Sequence, residues 1–215
     1  MKRGRFITVE GIEGAGKSSI MAAIVESLEH RGLTVCATRE PGGTALAERV
    51  RAIVLEPGAE TISSTTETLL MFAGRGIHLD NRVRPALAAG SWIVCDRFTD
   101  ATRAYQGAGR GVSSDFIESL ARAVHGDLVP DVTLLVDVPV GLGLTRARSR
   151  GNAADRIEAE TVAFFERVRA HYLSLAANEP RRFRVIDGMQ PLEQVRLAAC
   201  RAVLDYVDAQ GNTAS

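Results

Sequence analysis

Lysine is almost missing from this chain: of its 26 basic residues only Lys2 and Lys17 are lysine, and the other 24 are arginine. Neither lysine is followed two residues on by aspartate, so the N-K-x-D segment with which a GTPase reads guanine cannot be formed. Net charge is missing as well. Acidic and basic side chains balance at 26 each, and no overall field draws the protein to nucleic acid or to an anionic membrane. Cysteine is scarce: Cys36, Cys95 and Cys200 are odd in number, far apart and free of C-x-x-C spacing. That argues against disulfides and zinc and for plain buried thiols. No window approaches the roughly 18 apolar residues of a membrane span, and the start "MKRGRFITVE" has no apolar signal-peptide core. The expectation is a cytoplasmic protein, without nucleic-acid or membrane partners, that handles anions locally.

What is present is a regular alternation. Short runs rich in β-branched residues, "RFITVE", "LTVCAT", "SWIVCD", "VTLLVDV" and "RFRVID", are separated by longer stretches with apolar residues at helical spacing. Those stretches are "KSSIMAAIVESLEHRG" with Gly32 as its stop signal, "TALAERVRAIVL", a long one from about Thr65 to Ala89, "SSDFIESLARAVHG", "VGLGLTRARSR", "ETVAFFERVRAHYLSLAANE" and "LEQVRLAACRAVLDYVDAQ". Alternation of this kind is the signature of crossover units, and it predicts an α/β fold with a parallel five-stranded sheet flanked by helices. No repeat or low-complexity linker interrupts 215 residues, so one domain over 1–215 is expected, with a frayed tail "GNTAS".

Between the first strand and the first helix lies "GIEGAGKSS". Gly11-x-x-x-x-Gly16-Lys17-Ser18 is the P-loop pattern in its required context. Residues without side chains let successive N–H groups face one concavity, and the following helix adds its positive end. Lys17 is then placed to reach the β- and γ-phosphates and the Ser18 hydroxyl to reach Mg²⁺. In a chain that otherwise uses arginine, a lysine here marks a position where a compact charge is needed. Glu13, a carboxylate inside a phosphate nest, calls for a partner. A P-loop alone leaves ATPases and small-molecule kinases open.

The arginines narrow the choice. Moving a phosphoryl group onto another phosphate needs no strong base, because the attacking oxygen is already anionic; the difficulty is holding two repelling polyanions in line. Arginine forks suit that task. Candidates outside helix interiors or at their edges are Arg39 in "TREPGGT", Arg75 in "MFAGR", Arg97 in "CDRF", and Arg146, Arg148, Arg150 and Arg156 in "TRARSRGNAADRIE". Asp96 closes an apolar strand, as a carboxylate near Mg²⁺ would. The segment of about 146–157, rich in arginine and small residues, suits a lid. A hydroxyl acceptor would instead need a carboxylate base, for which Asp100 is the loop candidate.

Taken together, "EGIEGAGKSS", "TREPGGT", "CDRF", "AYQGAGRG" and "RARSRGNAADRIE", in that order, closely resemble the bacterial thymidylate kinase family over nearly the whole chain. The resemblance implies phosphorylation of dTMP to dTDP by ATP with Mg²⁺, and a P-loop kinase domain that forms homodimers. It places ATP on Gly11, Ile12, Glu13, Gly14, Ala15, Gly16, Lys17, Ser18 and Ser19, and Mg²⁺ at Ser18 and Asp96, partly through water. For the acceptor it implies Arg39 and Arg97 on the phosphate, Glu13 near the sugar 3′-hydroxyl, and Tyr105 against the deoxyribose. Arg75 would reach the thymine O4, Phe72 would stack on the base, and Thr102 and Gln106 would lie alongside. Gly14 stands where eukaryotic members carry a loop arginine, so Lys17 and Arg97 would be joined in catalysis by the lid arginines Arg148, Arg150 or Arg156. Three positions depart from the family pattern: the stacking phenylalanine often lies four residues before the arginine, whereas Phe72 is three before Arg75 and Met71 stands at the fourth, both on one helix face; Ala101 replaces a frequent serine; and Arg103 a commonly neutral residue.

Overall fold

The computed structural model describes residues 3–56, 60–149 and 155–212. Five strands, β1 (Phe6–Glu10), β2 (Val35–Arg39), β3 (Trp92–Asp96), β4 (Val132–Asp137) and β5 (Phe183–Asp187), form one sheet in the order β2-β3-β1-β4-β5 with every pairing parallel. Each coincides with one of the five apolar runs in the sequence. Because the side-chain period is two, β1 divides its residues between the faces. Ile7 and Val9 join the main core, while Phe6 joins Ile93 and Cys95 in a second cluster on the other face. Thr8 and Thr133, both wholly buried, satisfy one another through a 2.9 Å hydroxyl contact.

Helices cover both faces: α1 (Lys17–His30), α2 (Ala45–Leu55), α3 (Ser64–His78), α4 (Arg84–Ala88), α5 (Thr99–Thr102), α6 (Ser114–Val124), α7 (Val140–Arg148), α8 (Val162–Asn178) and α9 (Leu192–Asn212). The stop signal at Gly32 works as read: α1 ends at Arg31, and Gly32, at φ 74°, lets Leu33 N–H return to Leu28 O. Two features differ from the sequence expectation. The long helix near 65–89 is broken by a wider π-helical stretch, Leu79–Val83, because Pro85 offers no N–H to the carbonyl four residues back. The segment after "CDRF" is also helical: α5 runs into a π-helical stretch, Arg103–Gly109. Its glycines disfavour a helix intrinsically, yet a Cβ on Gly109 would fall 2.5 Å from the Phe164 ring, so the close approach of α8 requires one there.

Parallel pairing brings all five strand ends to one edge. β1 to β5 end there on Glu10, Arg39, Asp96, Asp137 and Asp187, and the crevice above such an edge is where ligands bind in open α/β sheets. Among the described residues, no helix is long and apolar enough to cross a membrane. The three cysteines are free; Cys95 is buried, and Cys36 and Cys200 are half-buried.

Candidate active site

The glycine loop turns tightly between β1 and α1, with Gly11, Gly14 and Gly16 at φ 139°, 72° and 92°. Gly11 packs its bare Cα against Val136 O, where a Cβ would stand 2.5 Å away. Gly14 lies against α7: a Cβ there would come 1.9 Å from Gly143 O. Whereas Thr44, Ser63 and Thr161 cap α2, α3 and α8 with their hydroxyls, α1 starts from Gly16 with no side-chain cap and no acidic residue in its first turn. Its leading N–H groups and positive end are left for an anion. Ile12 and Ala15 are buried and contribute backbone only, while Lys17, Ser18 and Ser19 face a cleft of about 520 Å³. Lys17 Nζ donates to Gly11 O and Ile12 O at 3.2 and 3.1 Å. Burial, with Arg97 nearby, pulls its pKa below the ordinary lysine value, against the pull of Asp96, Glu13 and Glu10.

Arg39, Asp96 and Arg97 line the same cleft as the loop. Arg39 is exposed and pairs with Glu48 at 2.9 Å. Asp96 Oδ1 is buried with no hydrogen-bond partner among the described residues. Together with the Ser18 hydroxyl it offers hard oxygen donors of the type Mg²⁺ prefers. No cluster of three or more acidic, His or Cys ligands occurs among the described residues, so a cation here would draw its remaining ligands from phosphate and water.

A smaller cavity of about 80 Å³ adjoins this cleft, and the two share Glu13, Glu40, Arg51, Arg97 and Asp155. Glu13 has the partners that its place in the loop calls for: Arg97 Nη2 donates to Oε1 at 2.8 Å, and the Tyr105 hydroxyl donates to Oε2 at 2.7 Å. The Arg97 guanidinium also lies 4.7 Å above the Tyr105 ring. Arg75 is buried, its Nε donating to Glu40 Oε2 (2.7 Å) and its Nη2 to Thr102 Oγ1 (3.1 Å). Against burial, which acts the other way, Arg75 and His78 hold the Glu40 carboxyl below the ordinary carboxylate range. Gln106 lines the small cavity and donates through Nε2 to Glu67 at 2.7 Å. Arg75 Nη1 and Gln106 Oε1 are both buried without a partner among the described residues.

Several expected residues fall elsewhere. Neither Phe72 nor Arg75 lines the cavity; Met71 does. One residue of helix rotates the side chain by about 100°, so Phe72 packs with Ile117 and Ala121 behind Arg75, whose guanidinium sits 4.8 Å from its ring. Thr102 holds Arg75 from behind and is absent from the cavity wall. Arg148 is exposed at the end of α7, Arg150 lies outside the described residues, and Arg156 turns away from the cleft to Val54 O and Glu67 Oε2. Asp100 is no free base: it is buried against Arg182 and Arg103, at 2.5 and 2.9 Å.

Sequence reasoning missed several lining residues. Arg51 lines both compartments and donates to Pro41 O at 2.9 Å, but it sits inside α2, and only arginines outside helix interiors were candidates. Arg146, a candidate from the sequence, lines the cleft and bonds to Gly188 O; the Gln190 and Leu192 that follow β5 line it too and were missed. Their place beyond the last strand was the available signal.

A five-stranded parallel sheet with a glycine loop ahead of α1 and an arginine-walled cleft over its strand ends defines a P-loop NTPase-type protein. A family model described as thymidylate kinase matches residues 9–198. A thymidylate kinase of Alcanivorax borkumensis is 54% identical over 200 residues, covering 93% of this chain and 96% of the relative. One from Pseudomonas fluorescens is 52% identical over 195 residues, covering 91% and 92%. Among solved structures, a thymidylate kinase from Ehrlichia chaffeensis superposes with a TM-score of 0.75 at 32% identity, covering 94% of this chain and 99% of that one. The chain belongs to the thymidylate kinase family.

Proposed function

We propose that this protein transfers the γ-phosphoryl group of ATP to dTMP, giving ADP and dTDP by direct in-line displacement. ATP takes the cleft, its phosphates on Gly11 to Ser19 with Lys17 between the β- and γ-groups. dTMP takes the adjoining cavity, its phosphate between Arg39 and Arg97. Mg²⁺, held by Ser18 and Asp96 partly through water, would screen charge on the transferred group. No general base is assigned, since the acceptor oxygen is already ionised. Arg148, Arg150 and Arg156, within a lid of about 146–157, are the candidates for closing over the donor. The whole of 1–215 is read as one kinase domain in the cytoplasm.

One observation carries the choice of acceptor. Gln106, on the wall of the small cavity, has a buried acceptor, Oε1, with no partner among the described residues, while its Nε2 is fixed by Glu67. Leaving such a group unpaired is costly, and a 4-oxo pyrimidine supplies the complement from its N3–H. Tyr105 and Glu13, locked together, leave little room for a 2′-hydroxyl. Leu46 and Ile53 on α2 and Leu69 on α3 are large exposed apolar residues that support a homodimer through those helices; light scattering reads its mass.

ADP release measured with dTMP, dUMP, dGMP, AMP and shikimate as acceptors tests the reading. Turnover with dTMP should dominate. The missing methyl of dUMP, worth about 1 kcal/mol, should lower kcat/KM roughly fivefold without abolishing it. Absence of dTMP-dependent turnover would refute the assignment.

A further inference from the structure

Arg97 is the one residue other than glycine with a left-handed backbone among the described residues, at φ 72°. That conformation is unfavourable for a side-chain-bearing residue, and it persists only where surrounding bonds determine it. Those bonds converge on a single carboxyl. On the backbone side, Arg97 N–H donates to Val9 O at 3.1 Å, and the next N–H, of Phe98, donates to Glu10 Oε1 at 2.8 Å. On the side-chain side, Arg97 Nη1 donates to the Tyr172 hydroxyl at 3.2 Å, and that hydroxyl donates to Glu10 Oε2 at 2.7 Å. The two oxygens of Glu10 therefore hold Arg97 from both ends. Glu10 and Tyr172 are 0% and 1% exposed, and neither lines the cleft or the small cavity.

A buried carboxyl next to another, Asp100, is an expensive way to finish a strand. Burial first, and the Asp100 charge second, push Glu10 up to about 8, while Arg97, Tyr172 and Phe98 pull the other way. An apolar residue would fill the same space without that desolvation cost. The return lies in the geometry: a guanidinium on a flexible stem becomes a fixed fork, gripped by Glu13 on the substrate side and by Tyr172 on the core side.

We infer that Glu10 and Tyr172 are positioning residues that fix the backbone and the guanidinium of Arg97 for the acceptor phosphate. The inference rests on the reading of Arg97 as an acceptor-phosphate arginine. It predicts a specific kinetic signature, because the donor side of the loop is untouched. Tyr172→Phe removes one oxygen and keeps the ring packing; it should lower kcat/KM for dTMP about tenfold with KM for ATP within twofold of wild type. Glu10→Gln, which keeps one acceptor, should show a smaller loss of the same kind. If Glu10→Gln does not fold, Tyr172→Phe still carries the test.

The deciding measurement is a double-mutant cycle with Arg97→Ala. Once Arg97 is gone, Tyr172→Phe should change kcat/KM for dTMP by less than twofold. A merely structural role for Tyr172 would give losses that multiply in the double variant, and that result overturns the inference. So does Tyr172→Phe with wild-type dTMP kinetics while Arg97→Ala is impaired. Arg97→Ala with unchanged dTMP kinetics would instead remove the reading of Arg97 itself, and the positioning role with it.

Discussion

Removing the Glu67 carboxylate should cost more than any surface ion pair in this protein, because three side chains from separate segments depend on it. Glu67 stands in the first turn of α3, wholly buried. It accepts from Gln106 Nε2 and Arg110 Nε at 2.7 Å each, and from Arg156 Nη2. Arg110 also pairs with Glu160 at 2.7 Å, so two cations and two anions balance within one cluster. Exposed pairs contribute at most about 1 kcal/mol. Deleting Glu67 leaves Arg156 without its carboxylate and Arg110 with Glu160 alone, and breaking a buried pair from one side typically costs about 3–5 kcal/mol. For a chain of 215 residues, each kcal/mol corresponds to a Tm change of about 2–4 °C. Glu67→Ala is thus expected to lower Tm by roughly 10 °C, and Glu67→Gln by less, since the amide keeps one acceptor. The loss should be specific in activity too. Gln106 loses the anchor for its Nε2, so KM for dTMP should rise about tenfold while KM for ATP stays near wild type. Thermal melts and initial rates read both quantities. A Glu67→Ala protein that melts within about 3 °C of wild type, or whose two KM values rise together, would refute the argument.

Two further outcomes follow from the same structure. Lys17→Met should lower kcat at least a hundredfold with little change in Tm, as expected for a charge that acts on the transferring phosphoryl group; retained turnover would place the chemistry elsewhere. His125 is pushed down to about 4 from an ordinary 6.5, by burial and then by Arg75. The folded protein therefore favours the neutral ring, and its contribution is full above pH 6.5 and is lost as pH falls toward 4. His125→Asn should melt closest to wild type at pH 5 and farthest at pH 7.5, and a gap independent of pH would contradict the assignment.

The sheet was legible because each strand is a short β-branched run bounded by polar residues, and for the central β1, β3 and β4, burial on both faces leaves such runs little alternative. The loop and the strand-end residues Arg39, Asp96 and Arg97 were legible for a related reason, since their positions follow from where strands stop. Residues whose roles depend on long-range partners were not. Glu10, Glu40 and Glu67 look like any of the chain's carboxylates until the fold buries each against a group 35 to 162 residues away in sequence, such as Arg75, Arg110 or Tyr172. Met71 and Phe72 differ by one helical step, and both spacings to Arg75 are compatible with one helix face; packing of α6 against α3 decides which is turned inward. The helix after "CDRF" was hidden because Gly109 serves the close contact with Phe164 instead of helix propensity.

The contact between Gly14 and Gly143 bears on how such enzymes can diverge. A side chain at position 14 meets main-chain atoms of α7, which cannot rotate aside, and it must also adopt φ 72°. A loop arginine is therefore not one codon away from this sequence. Helix α7 would first have to draw back from the loop, and that withdrawal would move Arg146 and the wall it forms with Gly188. If the arginines of the 146–157 segment supply the cation, as proposed, then supplying it from the loop and supplying it from that segment are two separated solutions, and this glycine pair ties the chain to the second.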